Sequence, residues 1–169
     1  IDVAGSYVYL LADGLYVISV ADPAAPSIVA HYEGTSGYDV HAAGDYVYLA
    51  EYNTLRIFSI TDPANPTEVG TCSGYSMYAV QVEGDYAYVA GISSLPETKQ
   101  DAGLLIISLA DQSNPVEVGF RKTAGLPNDL QIVGDHIYVA STFGYFDFRG
   151  YLEVFALDTP GSPNEIGQA

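Results

Sequence analysis

The sequence has few basic residues, a single cysteine and no long apolar run. Five lysines and arginines stand against 21 aspartates and glutamates, which gives a net charge of −16. Such a surface repels phosphate backbones, so we expect no nucleic-acid partner. The acidity predicts a well-solvated surface, with divalent-cation binding or adaptation to high salt as alternatives. Cys72 has no second cysteine to pair with, which excludes an internal disulfide and predicts a structural role.

No apolar stretch approaches the roughly 20 residues that cross a bilayer, so we predict no transmembrane segment. The 169 residues are nevertheless 49% hydrophobic and 12% aromatic, which suffices for one domain with a real core. The chain opens on Ile1 and already lies inside a repeat. We therefore expect a processed or excised piece, from which a signal peptide or anchor could have been removed.

One phrase recurs four times, starting at Gly5, Gly44, Gly84 and Gly134: GSYVYLLA, GDYVYLAE, GDYAYVAG and GDHIYVAS. A second phrase follows each copy: LYVISV, LRIFSI, LLIISL or LEVFAL. The glycines are 39, 40 and 50 residues apart, and a nearly fixed period predicts a repeat architecture. We place the repeats at about 1–37, 38–77, 78–127 and 128–169 of a single domain, 1–169.

Each repeat reads as four β-strands, which we call a to d. The two recurrent phrases form strands b and c, because Tyr, Val, Ile and Leu dominate them. A strand such as YDVHAAG precedes them as strand a, and a turn such as DPANP leads into strand d. Four antiparallel strands in about 40 residues predict a β-propeller blade. The fold class is therefore all-β, with about four blades forming either a closed four-bladed ring or, as we favour, a segment of a larger propeller.

The two ends of such blades differ in their variability. The a–b and c–d turns share one end, and backbone geometry alone explains why they are alike. The b–c and d–a connections share the opposite end, where the distances from the turn glycine to the leading Leu of strand c are 10, 11, 20 and 18 residues. Variable loops on a fixed scaffold are where binding is usually built.

Together, the Gly–aromatic–Tyr–Val strand, the Leu-rich strand and the Asp-Pro-x-x-Pro turn resemble the LVIVD-repeat family. The resemblance spans essentially the whole chain. It implies a β-propeller of the kind often found on bacterial and archaeal surface or exported proteins, and hence an extracellular or cell-surface location. It brings no defined catalytic residues.

The strongest binding candidate is the b–c loop of repeat four, STFGYFDFRG. Its aromatic side chains, with a nearby ion pair, can stack on a sugar ring, a peptide or a protein, or can pack on the adjacent blade as a hairpin extension. The candidates are Phe143, Tyr145, Phe146, Asp147, Phe148 and Arg149. Tyr52 in the b–c turn of repeat two belongs to the same face. In the repeat-three loop, Glu97, Lys99 and Asp101 form either a rim or a solvated surface.

Strand a should be innermost, since several of its residues are small. One polar position recurs on it as Asp2, His41, Gln81 and Gln131. We expect these side chains to line the central channel or to lie between blades, binding an ion or a water chain or only satisfying hydrogen bonds. His41 with Asp39 offers too few ligands for a metal site, so we predict no metal or cofactor, with calcium as an alternative that no motif supports.

The tyrosines at the second aromatic position of strand b should pack between blades with their hydroxyls near solvent. They are Tyr9, Tyr48, Tyr88 and Tyr138. A position filled identically in every repeat serves the scaffold.

The sequence therefore predicts a non-catalytic extracellular or cell-envelope module for binding or scaffolding. Its protein or glycan partner would contact the face that carries the b–c and d–a loops. One alternative is a glycan-acting enzyme with carboxylates at the blade tops. Another is a structural subunit of a surface layer or filament, and we also consider self-association or assembly with further blades.

Overall fold

The computed structural model describes residues 1–93, 101–143 and 149–169, and its regular elements are β-strands. These described residues contain no helix with the length and apolarity that a membrane crossing needs. In chain order the strands are β1 Asp2–Ala4, β2 Tyr7–Leu11, β3 Gly14–Ser19, β4 Ser27–Glu33, β5 Gly37–Ala43, β6 Tyr46–Glu51, β7 Thr54–Ser59, β8 Thr67–Ser73, β9 Tyr75–Glu83, β10 Tyr86–Ser93, β11 Ala102–Ser108, β12 Val116–Lys122, β13 Leu126–Val133, β14 His136–Thr142, β15 Gly150–Ala156 and β16 Asn164–Gln168.

The strands form four antiparallel sheets of four strands, and the order within each sheet follows the chain. We call them blade 1 (β1–β4), blade 2 (β5–β8), blade 3 (β9–β12) and blade 4 (β13–β16), and keep the letters a to d for the strands of each blade. The prediction of an all-β propeller with four-stranded blades is confirmed.

The glycine that opens strand b has the same backbone conformation in every blade. Gly5, Gly44, Gly84 and Gly134 have φ between 58° and 59°. This left-handed conformation is easily adopted only by a residue without a Cβ atom. The recurring glycine therefore reflects the turn and not a binding role.

Strand a is innermost, as predicted. The strands a of successive blades pack on one another, β1 on β5, β5 on β9 and β9 on β13. Strand d lies at the outer edge of each sheet, and this explains why it is the most polar strand.

Hydrophobic cores lie between the blades. Each core joins the trailing face of one blade, which points toward the next blade in the chain, to the leading face of that next blade. The trailing face contributes the strand-b tyrosine and apolar residues of strand c, such as Tyr9, Leu15 and Val17 of blade 1. The leading face contributes other positions of strands a, b and c, such as Val47 and Phe58 of blade 2. The same arrangement joins blade 2 to blade 3 and blade 3 to blade 4.

The strand-b tyrosines also join neighbouring blades by hydrogen bonds. The Tyr48 hydroxyl donates to Oε1 of Gln112 (3.2 Å), and the Tyr88 hydroxyl donates to the carbonyl oxygen of Pro160 (3.0 Å). Both acceptors lie in the c–d turn of the next blade. The predicted packing between blades is therefore observed, but the prediction of hydroxyls near solvent is wrong for these two buried residues, because the next turn covers them.

A second link joins neighbouring strands a. Oδ2 of Asp2 accepts the N–H of Ala42 in blade 2 (2.8 Å), and Oδ2 of Asp39 accepts the N–H of Val80 in blade 3 (2.9 Å). Oδ1 of Asp39 also accepts the N–H of Val40 (2.9 Å). One carboxylate thereby satisfies amides of two blades.

The blades form an open arc. Packing joins blade 1 to 2, 2 to 3 and 3 to 4, and within the described ranges no packing of similar extent joins blade 4 back to blade 1. Of the two arrangements predicted from the sequence, the structure therefore agrees with a segment of a larger propeller.

The first prediction concerns alkaline stability. Burial, followed by the charges of Tyr86 and Glu83, raises the pKa of Tyr88 from 10.0 to about 12. The folded state therefore holds this proton more tightly than the unfolded chain, so the stabilising contribution is complete below pH 10 and is lost between pH 10 and about 12. In urea titrations, Tyr88→Phe should lose less of its free energy of unfolding over this pH range than the parent chain. Tyr52→Phe, on an exposed turn, is the control and should follow the parent; equal slopes for all three proteins would contradict the prediction.

The second prediction concerns the carboxylate between strands a. Asp39→Ala leaves the N–H of Val80 without its acceptor, and we expect a loss of roughly 1–3 kcal/mol in the free energy of unfolding. Asp39→Asn keeps one acceptor oxygen, which can serve the N–H of Val80 or that of Val40 but not both, and should lose less than the alanine variant. Denaturant unfolding of both variants at neutral pH checks this; an alanine variant as stable as the asparagine variant would be evidence against the link.

Candidate functional site

Exposed aromatic rings lie at the end of the blades that carries the b–c and d–a connections, which we call the loop face. The three most exposed Tyr and Phe side chains of the described residues are Tyr38, Tyr52 and Phe143, at 59%, 69% and 49% exposure. Tyr38 follows the d–a connection into blade 2, Tyr52 lies in the b–c turn of blade 2, and Phe143 follows strand b of blade 4. All three belong to the loop face.

A repeated β-bulge explains why Tyr38 is exposed. Gly37 pairs with Glu51 and Asp39 pairs with Ala50, so Tyr38 is an extra residue without a partner in the ladder. Bulges commonly redirect a side chain near binding sites. Strands a of the next two blades have the same bulge at Tyr78 and Asn128.

The bulged tyrosines of blades 2 and 3 contact each other. Their ring centroids are 5.3 Å apart at an interplanar angle of 58°. Sequence reasoning missed this pair, although Tyr38 and Tyr78 occupy the same position of their repeats, where repeat four has Asn128.

Phe143, at the base of the repeat-four loop, contacts Arg149 and Tyr151. The N–H of Phe143 donates to the carbonyl oxygen of Arg149 (3.1 Å), which continues the hairpin beyond β14 and β15. The Arg149 guanidinium lies 5.7 Å from the centre of the Phe143 ring, and the Tyr151 ring lies 6.2 Å from it. The remaining predicted members of this site lie outside the described residues: Tyr145, Phe146, Asp147 and Phe148.

A shallow pocket of about 260 Å³ lies beside Phe143, between blades 3 and 4. Its wall is the d–a connection from Thr123 to Leu126, and Lys122 stands at its edge. The Lys122 ammonium pairs with Oδ1 of Asp101 at 2.6 Å. Asp101 belongs to the repeat-three loop for which the sequence predicts either a rim or a solvated surface, and Glu97 and Lys99 of the same loop lie outside the described residues.

A buried glutamate holds the connection that walls this pocket. Glu153 is almost fully buried, and its carboxylate accepts the N–H of Ala124 (3.0 Å) and the hydroxyl of Ser141 (3.0 Å). Buried carboxylate oxygens are usually satisfied by hydrogen-bond donors of this kind. The other repeats have Tyr16, Arg56 and Leu105 at this position, so this support is specific to repeat four.

The four polar residues of strand a form two pairs. Nδ1 of His41 lies 3.1 Å from Oδ2 of Asp2, and Nε2 of Gln131 donates to Oε1 of Gln81 at 3.3 Å. His41 thus pairs with blade 1 and not with Asp39, whose oxygens bind amides. Burial is the main cause that raises the pKa of Asp39. That the four residues line a channel stays a prediction.

Two carboxylates converge on one arginine in blade 2. Arg56 binds Glu51 at 3.4 Å and also binds Glu68. Burial raises the pKa of Glu51, and Arg56 opposes that effect. Arg56 therefore bridges the two carboxylates. In the described part of the chain, no group of three His, Cys, Asp or Glu side chains could hold a metal ion.

A larger pocket of about 370 Å³ lies at the opposite end of blades 3 and 4. It is bordered by the a–b turns of both blades, by Tyr86 and by the linked pair Tyr88 and Pro160. These residues form the repeated turns and the contact between blades, so the pocket belongs to the scaffold.

Solved structures show what fold the chain is similar to. A crystal structure of a candidate 6-phosphogluconolactonase from Bacteroides uniformis matches with a TM-score of 0.73 at 16% identity, covering 95% of this chain and 50% of that one. A protein from Lactobacillus plantarum matches with a TM-score of 0.73 at 16% identity, covering 96% and 51%. The computationally designed protein Ika8 matches with a TM-score of 0.67 at 9% identity, covering 99% and 47%. This chain spans about half the length of these proteins, and at these identities the likeness shows the fold alone.

Sequence comparison identifies the family. No curated protein matches the chain. The model of the LVIVD repeat matches three times, at residues 1–34, 35–74 and 73–123. The chain therefore belongs to the LVIVD repeat family.

Proposed function

We propose that this LVIVD propeller segment is a non-catalytic binding or scaffold module of the cell surface or envelope. Its partner, a glycan or a protein, contacts the loop face. The observation that supports this most is that Tyr38, Tyr52 and Phe143, the most exposed Tyr and Phe rings of the described residues, share that face.

Exposed rings suit both classes of partner. An aromatic side chain contributes a large apolar area with few rotatable bonds, so it stacks on a sugar ring or packs into another protein at low entropic cost. The pocket beside Phe143, about 260 Å³, is slightly smaller than the 300–1,000 Å³ typical of small-molecule sites. It suits a single side chain or sugar ring better than a cofactor.

The distribution of positive charge supports the same face. Arg56 and Arg121 are committed to internal contacts, Arg56 with two glutamates and Arg121 with the c–d turn of blade 4. Lys122 and Arg149 are exposed and lie on the loop face. In a chain of net charge −16, the exposed basic side chains of the described residues therefore lie on this face, where Lys122 pairs with Asp101 and Arg149 lies over the Phe143 ring.

The enzymatic alternative lacks comparable support. Glycoside hydrolysis needs two available carboxyl groups about 5–10 Å apart in a cleft. One pair of neighbouring carboxylates among the described residues, Glu51 and Glu68, is bridged by Arg56. The surface location rests on membership of the LVIVD family.

The third prediction tests the loop face on a glycan array, with calcium and with EDTA. Tyr38→Ala, Tyr52→Ala or Phe143→Ala should weaken binding of a retained glycan by about tenfold or more, because a ring at a contact centre is commonly worth over 1 kcal/mol. Ile28→Ala, at an equally exposed apolar residue of the outer strand of blade 1, should leave binding unchanged. If the parent chain binds the glycan with calcium but not with EDTA, the result would favour the alternative that the chain binds a divalent cation.

A glycan whose binding survives all three ring substitutions would contradict the proposed face. If the array retains no glycan, the same variants can be compared for binding to candidate envelope proteins. Loss of binding through the rings would then assign the partner to that class.

A further inference from the structure

Among the described residues, each end blade of the arc has one lateral face that no other blade of this chain covers. The three interfaces between blades show what such a face normally contacts: a trailing face packs against a leading face. Blade 4 has an uncovered trailing face and blade 1 an uncovered leading face. Equivalent residues on covered and uncovered faces differ in their exposure and in their hydrogen bonds.

The trailing face of blade 4 keeps the residues of a covered face. Leu152 is 43% exposed, whereas its equivalents Leu15, Leu55 and Leu104 are all 0% exposed. Ala140 is also exposed, although Ala50 and Ala90 at the same position are fully buried. A concavity of about 140 Å³ lies here, bordered by Asp129, Tyr138, Ala140 and Leu152.

The hydrogen-bonding groups of a covered face are also present. Oδ1 of Asp129 accepts the N–H of Leu130 (2.9 Å), as Oδ1 of Asp39 accepts that of Val40. Oδ2 of Asp39 binds the next blade, whereas Oδ2 of Asp129 has no hydrogen bond from a described residue. Tyr138 stands where Tyr48 and Tyr88 donate to the next c–d turn.

Strand d of blade 4 retains the space for that turn. A Cβ atom at Gly70 would lie 2.0 Å from the carbonyl oxygen of Gln112, and one at Gly119 would lie 3.0 Å from that of Gly161. Both oxygens belong to the c–d turn of the next blade. Gly167 occupies the equivalent position, and a Cβ there would have no atom within 4 Å. Blade 4 therefore has the glycine at this position, but no c–d turn of another described blade packs against it.

The leading face of blade 1 is the complementary surface. Val8, Leu10 and Ile18 are partly exposed, whereas their blade-2 equivalents Val47, Leu49 and Phe58 are completely buried. The c–d turn of blade 1 closes with the same backbone hydrogen bond as those of blades 2 and 3, 3.0 Å from the Ala25 N–H to the Asp22 carbonyl oxygen. Blade 1 therefore offers the turn and the apolar side chains that the trailing face of blade 4 lacks.

We propose that the trailing face of blade 4 binds the leading face of blade 1 of a second copy of this chain. The contact forms a fourth core of the internal kind, with Tyr138 and Leu152 packing on Leu10 and Ile18. The hydroxyl of Tyr138 donates to the carbonyl oxygen of Pro23 in the second copy, as that of Tyr88 donates to Pro160. The contact is head-to-tail, so two copies leave the same pair of faces to meet again.

The lengths of similar structures support a second copy as the occupant. This chain, almost in full, corresponds to 50% of the Bacteroides uniformis protein and 47% of Ika8. Two copies supply as many residues as those whole proteins contain. The internal interfaces provide the geometry, and both halves of the new interface are present on this one chain.

The fourth prediction is the mass of the chain in solution. Size-exclusion chromatography with light scattering at about 100 μM should give at least twice the mass of one 18.0 kDa chain, and dilution should shift the mass toward the monomer by mass action. A monomer at this concentration would overturn the proposal and leave further repeats of a longer chain as the occupant of the face.

Substitutions on each face test the head-to-tail geometry. Leu152→Asp on the trailing face and Leu10→Asp on the leading face should each reduce the mass to that of the monomer, because a charge replaces a residue of the new core. Val116→Asp is the matched control, since Val116 is an exposed apolar residue on the outer strand of blade 3, away from both end faces, and its equivalents Ser27, Thr67 and Asn164 are polar. It should keep the mass of the parent chain.

Mixing the two variants distinguishes lost binding from lost folding. The Leu152→Asp chain keeps an intact leading face and the Leu10→Asp chain an intact trailing face, so an equimolar mixture should form a dimer through one contact. Each variant alone should keep the β-sheet circular dichroism of the parent. An oligomer that survives both substitutions, or a mixture of folded variants that stays monomeric, would overturn the proposal.

Discussion

Each blade buries its two faces between the blades on either side, and the rest of the structure follows from that packing. A sheet covered on both faces needs apolar side chains in both directions along a strand. This explains why the phrases LRIFSI and LLIISL are nearly continuous apolar runs and do not alternate. Strand d is covered least, and it carries charged residues such as Glu68 and Glu117.

The same packing limits where a binding site can form. The sides of the inner blades are committed to cores. The c–d turns accept hydrogen bonds that join blades, and the a–b turns make backbone hydrogen bonds to the end of strand c in their own blade. The loop face is the part of the described scaffold whose side chains are not needed for these contacts. Tyr38, Tyr52 and Phe143 are exposed there because neither the cores nor the turn contacts include them.

The periodicity of the sequence predicted the blades, because neighbouring residues within each repeat determine its turns and its strands. Gly44 marks a left-handed turn and Pro66 ends a c–d turn, and neither depends on distant residues. The partners across blades could not be predicted in this way. Tyr48 binds Gln112, which is 64 residues away, and His41 pairs with Asp2 and not with nearby Asp39.

The site was predicted in part for the same physical reason. Loop length pointed to the b–c connections, and Phe143 and Tyr52 are exposed as that argument requires. The tyrosine pair at the bulges was missed because a bulge is a property of strand register, which one strand's sequence does not reveal. Glu153 was missed because its partners, Ala124 and Ser141, lie on other segments.

The bulge in strand a places a residue outside the strand pairing, so the fold does not fix which side chain stands there. The strand ladder skips the residue at this position, so tyrosine and asparagine both occupy it while the flanking pairs stay in register. Whenever a blade is duplicated, this display position is copied together with the scaffold. The surface at this position can then vary one residue at a time, without a compensating change in the core.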